Sequence, residues 1–284
     1  MRMRKLALKR IRSRLSDFTR IEKHIANYIL TKPKDVLYMT VNELANASGV
    51  SDASVIRFVR TLEFDSFQSF KLALAGDLFG VHEEFEDPRI SAEDDMNRIV
   101  EKTKSGCMKS IESTMSVLDM DMLKMAVNLI NNARRVECYG VGSSAAVAQI
   151  IQYKFIRLGL PCKAYDDPHI QAMSASTMSF GDVAIGVSHS GSTKDTVDSV
   201  KVAKEHGAST ICITDHVKSP ISKYADVILE TFSRESPIKS GAGRSIIAQI
   251  FVVEALTNLL YQLNRERAEK YGKESARAVS NKLY

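Results

Sequence analysis

Residues 40–60, TVNELANASGVSDASVIRFVR, decide how the first part of this chain folds. Thr40 and Glu43 stand three apart, the spacing at which each side chain can meet the other's backbone N–H, so a short helix begins here and runs through Leu44, Ala45 and Ala47. Gly49 falls where a tight turn needs a residue that tolerates positive φ. Val50 follows, and Ser51 is a good N-cap for a further helix. In that helix Val55, Phe58, Val59 and Leu62 form a stripe at helical spacing. A small residue (Ala45), a turn glycine four later and an apolar residue six beyond it (Val55) meet the packing needs of a helix-turn-helix. The small residue lets the helices approach, the glycine makes the turn and the valine fills the angle between them. Asp52, Ala53, Ile56, Arg57 and Arg60 are then left on the outer face, and the N-terminal half of such a second helix is what enters a major groove.

Double-stranded DNA is therefore the expected macromolecular partner, with Ser51, Asp52, Ser54, Ile56, Arg57, Arg60 and Lys71 as candidate contacts. The arginines suit phosphate or guanine edges, and Ile56 suits a thymine methyl. A small helical domain that merely packs on something has the same local pattern; the two arginines and the basic N-terminus favour DNA.

Upstream, Thr19 and Glu22 repeat the capping-box spacing, and Ile21, Ile25, Tyr28 and Ile29 share one face until Pro33 ends the element. Before them come Arg2, Arg4, Lys5, Lys9, Arg10, Arg12 and Arg14, with no acid before Asp17. Such a block is either a phosphate-seeking arm or a solvated terminus. Residues 1–79 carry 14 Lys+Arg and 8 Asp+Glu, residues 80–134 carry 7 and 11, and residues 135–284 carry 18 and 15. The net charge of +5 thus conceals a basic first segment and an acidic second one.

The 284 residues suit two domains. A hydrophobic fraction of 44% and a charged fraction of 26% exclude a disordered chain, a collagen-like repeat and a small disulfide scaffold. The longest apolar run, Ile246 to Leu263, is interrupted by Gln249, Glu254, Thr257, Asn258 and Gln262, so no membrane partner is expected. No secretory signal is recognisable either, and a cytoplasmic location is expected. Cys107, Cys138, Cys162 and Cys212 lack metal-ligand spacing and read as reduced thiols; neither metal nor cofactor is expected.

From His82 to Pro88 the chain turns acidic and helix-breaking, which reads as a linker. The expected domains are 1–79 (helix-turn-helix), 80–125 (acidic and helical linker, with helices over 92–117 and 120–131) and 126–284. Beyond Arg134, β-branched runs alternate with helical stretches, the texture of βαβ units around a doubly wound parallel sheet. Strands are expected at Val136–Val141, Cys162–Tyr165, Val183–Ser188, Thr210–Thr214 and Val227–Thr231. Helices at Ala145–Leu158 and near Asp195–His206 are closed by Gly159 and Gly207. Ligands bind at the carboxyl ends of strands in such sheets. The loops after the first and third strands are therefore the candidate site: Gly140-Val141-Gly142-Ser143-Ser144, and Ser188-His189-Ser190-Gly191-Ser192-Thr193. Each joins a strand to a helix N-terminus, which favours an anion. The second loop's hydroxyls and N–H groups suit a phosphate monoester. The first loop also fits the dinucleotide pattern G-x-G-x-x-G/A with Asp166 as ribose acid. However, Asp166 comes late, 26 residues past Gly140, and a dinucleotide does not call for the second loop.

The run Thr40–Ala45, Gly49-Val50-Ser51, Val55-Ile56-Arg57-Phe58 and Phe67-Gln68-Ser69-Phe70-Lys71 resembles the RpiR family of bacterial transcription regulators, which usually has glycines near the positions of Glu63 and Ser66. Gly140-x-Gly142-Ser143-Ser144, Gly181-Asp182, Ser188-x-Ser190-Gly191-x-Thr193, Gly207-Ala208 and Ala225-Asp226 resemble the SIS, or sugar isomerase, domain of those regulators. The two together cover residues 15–260. The resemblance implies a homodimeric or homotetrameric repressor of sugar-metabolism genes that answers to a sugar phosphate. Ser188, Ser190 and Thr193 would hold the phosphate and Ser143 and Ser144 the sugar end, with Gly142, His189, Gly191 and Ser192 completing the ligand site. Where relatives carry a Ser-Arg pair, this chain has Ser245-Ile246, so that arginine's role is lost or passes to Arg244.

SIS domains also occur in isomerases and etherases. Proton transfer at a sugar carbon needs a base and usually an acid; His189, His169 and Glu254 are the candidates. No pair is fixed by spacing, and the attached helix-turn-helix favours a sensor over an enzyme, with no catalytic residue expected.

Overall fold

The computed structural model describes residues 7–64, 66–79, 90–91, 93–233, 242–280 and 282. The basic Arg2, Arg4 and Lys5 and the acidic stretch from His82 to Pro88 lie outside these. The chain divides into two compact units, one within Met1–Asp87 and one within Pro88–Arg234 and Ala242–Tyr284.

Among the described residues the elements of the first unit are helices: α1 (Ala7–Ser13), α2 (Arg20–Thr31), the single turn α3 (Pro33–Val36), α4 (Val41–Ser48), α5 (Asp52–Thr61) and α6 (Phe67–Phe79). Both capping boxes form. Thr19 and Glu22 exchange bonds ahead of α2, and Thr40 and Glu43 do so ahead of α4, where the Thr40 N–H donates to Glu43 Oε2 at 3.0 Å and the Glu43 N–H to Thr40 Oγ1 at 3.2 Å. Gly49 closes α4 at φ +67°, and Ser51 caps α5. Ala45 and Val55 are buried where the two helices meet, and Phe58 stands edge-on to Phe18 at 5.2 Å in the core. Glu63, after α5, also has a positive φ of +63°.

The second unit begins with α7 (Met96–Val117) and α8 (Met120–Asn131). The sheet domain follows: β1 (Val136–Tyr139), α9 (Ser143–Arg157), β2 (Cys162–Tyr165), α10 (Pro168–Ala175), β3 (Val183–Val187), α11 (Lys194–Glu205), β4 (Ser209–Thr214), a 3₁₀ turn at Pro220–Tyr224, β5 (Val227–Glu230), α12 (Gly243–Leu263) and α13 (Arg265–Ser280). All strand pairs are parallel, in the order β2-β1-β3-β4-β5. Successive strand residues face opposite layers. Val136, Cys138 and Ile185 pack with α8, α9 and α12, whereas Tyr139, Ala184 and Cys212 pack with α10 and α11.

Three details differ from the expectation. The strand expected to reach Val141 stops at Tyr139, because the Gly140 carbonyl is taken by the Gln171 amide at 2.9 Å rather than by a neighbouring strand. The stretch 80–125 contains α7, which packs along α12 inside the second unit. There the Ser110 hydroxyl donates to the Ser233 carbonyl (3.3 Å) and Thr114 Oγ1 accepts from the Phe232 N–H (3.1 Å). Finally, α12 has the length and apolarity of a membrane span despite its polar interruptions. Its Ala248, Val252, Val253, Leu256 and Leu260 are buried in the domain core.

Candidate functional site

On the helix-turn-helix, Ser51, Asp52, Arg57 and Arg60 are exposed and Ile56 is half-buried, with Asp52 accepting from the Asn42 amide at 3.3 Å. Two candidates are placed otherwise. Ser54 is only 7% exposed and its hydroxyl is shared with Ser51 and Arg57. It sits one helical position from the buried Val55, inside the first turn. Lys71 donates to the Met39 carbonyl at 3.1 Å and lies over the Phe67 ring, so burial pulls its ammonium pKa down. Its charge ties α6 to the chain ahead of α4.

The α/β domain builds its crevice at the switch in strand order. The chain leaves β1 for β2 on one side, while β3 lies on the other, so the loops after β1 and β3 part there. Gly142 is the N-cap of α9 at φ 60°, ψ −128°, a conformation reserved for glycine, and α9 has no side-chain cap. Ser143 and Ser144, which could have capped the helix, lie within its first turn instead: Ser143 exposed, Ser144 buried. At Gly140 a β-carbon would meet the Ser144 carbonyl oxygen at 2.7 Å, so the loop folds back tightly over α9.

In the second loop the Gly191 N–H donates to the Ser188 carbonyl at 3.1 Å, and Gly191 adopts φ +61°. A β-carbon there would fall 1.9 Å from Ser219 Oγ. The buried Ser188 hydroxyl meets Thr193 Oγ1 at 3.3 Å, and Ser190 Oγ accepts from the Ser192 N–H at 3.3 Å. Thr193 is the N-cap of α11, again without a side-chain cap. Two helix N-termini with amide groups not met by cap side chains thus stand at the ends of adjacent strands, an arrangement that favours negative charge.

Sequence reasoning missed Asp215. It lies at the end of β4, 9% exposed, with Oδ1 3.2 Å from Nδ1 of His189. The Thr231 hydroxyl also donates to Oδ1, and Ser233 donates to Oδ2 from both its N–H and its hydroxyl, each at 2.8 Å. Burial alone would raise this carboxyl's pKa, but the His189 charge and these donors bring it down to about 2. Neighbouring His216, its ring 5.8 Å from that of His189, is lowered to about 4 by burial and then by the His189 charge. Gln171 was also missed. It is fully buried, and its amide bridges the Gly140 and Tyr165 carbonyls at 2.9 Å each, tying together the exits of β1 and β2. Asp215 at a strand's carboxyl end was a usable signal; Gln171 gave none.

The three acid–base candidates have different settings. His169 is exposed at the start of α10, Glu254 pairs with Lys154 at 2.6 Å on α12, and His189 is held by Asp215. Among the described residues no group of three or more His, Cys, Asp or Glu is suited to a metal. Cys138 and Cys162, remote in sequence, stand on neighbouring strands with sulfurs 3.8 Å apart.

The helix-turn-helix model of the rpiR family matches residues 5–79, and the SIS domain model matches residues 129–259. The HTH-type transcriptional regulator RpiR of Escherichia coli strain K12 is 31% identical, over 91% of this chain and 87% of its own length. This chain belongs to the RpiR family. An uncharacterized HTH-type transcriptional regulator of Caldanaerobacter subterraneus subsp. tengcongensis is 39% identical over 95% of both chains. The Vibrio vulnificus NanR protein, solved complexed with ManNAc-6P, matches with a TM-score of 0.79 and 28% identity over 98% of this chain and 100% of its own. As a member of the RpiR family, this chain is a helix-turn-helix transcriptional regulator with a SIS ligand-binding domain.

Proposed function

We propose that the chain is a repressor of sugar-metabolism genes whose DNA affinity is controlled by a sugar phosphate bound in the SIS domain. The observation that carries this reading is the pair of helix N-termini, α9 and α11, opening at adjacent strand ends without side-chain caps. A phosphate monoester offers what those N–H groups need. In this reading Ser188, Ser190 and Thr193 hold the phosphate beside Gly191, Ser192 and His189, and Gly142, Ser143 and Ser144 meet the sugar. The ManNAc-6P complex of NanR supports the ligand class. On the DNA side, Ser51, Asp52, Ile56, Arg57 and Arg60 form the reading face, and a homodimer or homotetramer places two such faces on half-sites about one helical turn apart. The joining of a helix-turn-helix to the SIS domain supports a sensor over an isomerase or etherase.

The test is a thermal-shift panel of hexose, pentose and amino-sugar phosphates, N-acetylmannosamine 6-phosphate included, with the same panel followed for turnover and for DNA affinity. Stabilisation and DNA release without turnover is expected; product formation would establish the enzyme instead. Arg57→Ala should cost ~1–3 kcal/mol of specific binding if Arg57 reads a base, and an unchanged footprint removes it from the reading face. Ser190→Ala should blunt the sugar response while DNA binding persists.

A further inference from the structure

We infer that Asp215 is a positioning residue of the anion site: it holds the His189 imidazole by Nδ1 so that the ring, positively charged, donates from Nε2 to the phosphate group of the ligand. The inference rests on the reading of the Ser188–Thr193 turn as that site.

His189 lies inside the turn, between Ser188 and Ser190, and the end of β4 and the residue after it grip it at three points. Its carbonyl accepts from the Asp215 N–H at 3.1 Å and from the Thr214 hydroxyl at 3.2 Å, and its ring faces the Asp215 carboxylate at 3.2 Å. Asp215 is itself immobilised. Both its oxygens are occupied by Thr231 and Ser233 beyond β5, and the Ser233 carbonyl accepts from Ser110 of α7. The ring orientation is thus set from β4, β5 and α7 together. A carboxylate 3.2 Å from Nδ1 favours the doubly protonated ring, in which Nε2 is a donor as well; a neutral ring with its proton on Nδ1 would leave Nε2 as an acceptor only.

Charge makes the same point. A buried carboxylate next to a phosphate site repels its ligand unless a cation offsets it, and His189, within the turn and 3.2 Å from Asp215, is the group that can do so. The other titratable groups around it do not take its place. His216 is kept neutral near pH 7 by burial and by His189. Glu230 on β5 is pushed up by burial and by Asp215, and Lys194 and Asp195 at the start of α11 are exposed.

Sulfate is the probe, because it stays dianionic across pH 6–9 and any pH dependence of its binding belongs to the protein. Calorimetric titration of the full chain should show sulfate affinity falling roughly tenfold as His189 loses its proton, the size expected of a hydrogen bond from a charged donor. His189→Gln should weaken binding and remove the pH dependence, Asp215→Asn should do the same, and the double variant should be no worse than either single one, as for two residues acting as one unit. In the wild type, ¹⁵N-histidine spectra assigned with His189→Gln should show a protonated Nδ1, a readout that does not depend on Asp215→Asn folding. An Asp215→Asn protein that keeps the wild-type pH dependence, or a wild-type His189 with unprotonated Nδ1, would overturn the role of Asp215 alone. If neither sulfate nor any sugar phosphate binds the wild type, the anion site itself falls, and this inference with it.

Discussion

Arg14 donates from Nη1 to the Thr61 carbonyl at 2.8 Å, closing the last turn of α5, the second helix of the helix-turn-helix. Arg10 does the same one residue later, reaching the Leu62 carbonyl at 2.7 Å and pairing with Glu63 at 2.8 Å. Cations at a helix C-terminus satisfy its orphan carbonyls and meet the negative end of its dipole. Part of the basic N-terminal block therefore serves the fold, while Lys9 and Arg12 are exposed.

Arg14→Ala should accordingly destabilise the first unit by about 1–2 kcal/mol, the range for a hydrogen bond from a charged donor that is only half-buried. DNA binding should keep nearly its full salt dependence. Each lost phosphate contact lowers the slope of log Kd against log salt by about 0.9. A slope reduced by that amount with stability unchanged would show that Arg14 contacts DNA instead.

Glu63 holds φ +63°, a left-handed conformation in which a side chain costs roughly 1–2 kcal/mol. Glu63→Gly relieves that strain but loses the ion pair to Arg10, worth ~0–1 kcal/mol at an exposed site, and frees the unfolded chain. Denaturant unfolding should show a change between zero and about 1 kcal/mol of stabilisation. Glu63→Val should be clearly destabilising, because a β-branched residue resists this conformation; a neutral valine variant would mean the turn relaxes.

The two crevice glycines should respond differently to alanine. At Gly142 the added carbon meets open space, so Gly142→Ala costs only backbone strain, on the order of 1–3 kcal/mol. At Gly191 the same strain is joined by a collision with the Ser219 side chain. Gly191→Ala should therefore lower the melting temperature further and abolish sugar-phosphate stabilisation. Equal melting temperatures for the two variants would contradict the tight packing of this turn.

Acid should weaken the second unit through two groups acting in the same direction. The folded His216 pKa is lowered from 6.5 to about 4, so the unfolded chain takes up the proton first and stability falls as pH drops from 6.5 to about 4. At ~1.4 kcal/mol per pH unit of displacement, the loss reaches roughly 3 kcal/mol. Asp215, lowered to about 2, contributes stability present above pH 3.8 and lost as pH falls towards 2. Calorimetry of His216→Asn should show a flatter dependence between pH 6.5 and 4; an unchanged profile would assign the loss elsewhere.

Much of this protein is written in short windows of sequence. A capping box needs four residues, a turn glycine one, and a buried strand a run of β-branched side chains; Thr40 with Glu43, Gly49 and Val183–Val187 were therefore readable without coordinates, as were the two loops at strand ends. Local signals could not say where long side chains go. Arg10 and Arg14 read as an arm for phosphate but fold back on α5, and Lys71 turns to Met39, because carbonyls 52, 47 and 32 residues away come within reach only after folding. The surroundings of His189 were likewise decided by tertiary structure. The strand order β2-β1-β3-β4-β5 brings the exits of β3, β4 and β5 side by side, so Asp215 faces the His189 imidazole while Thr231 and Ser233 hold the Asp215 carboxylate and Ser110 of α7 holds Ser233. Spacing along a chain specifies a helix or a turn; which carboxylate faces which ring depends on the order in which the strands pack.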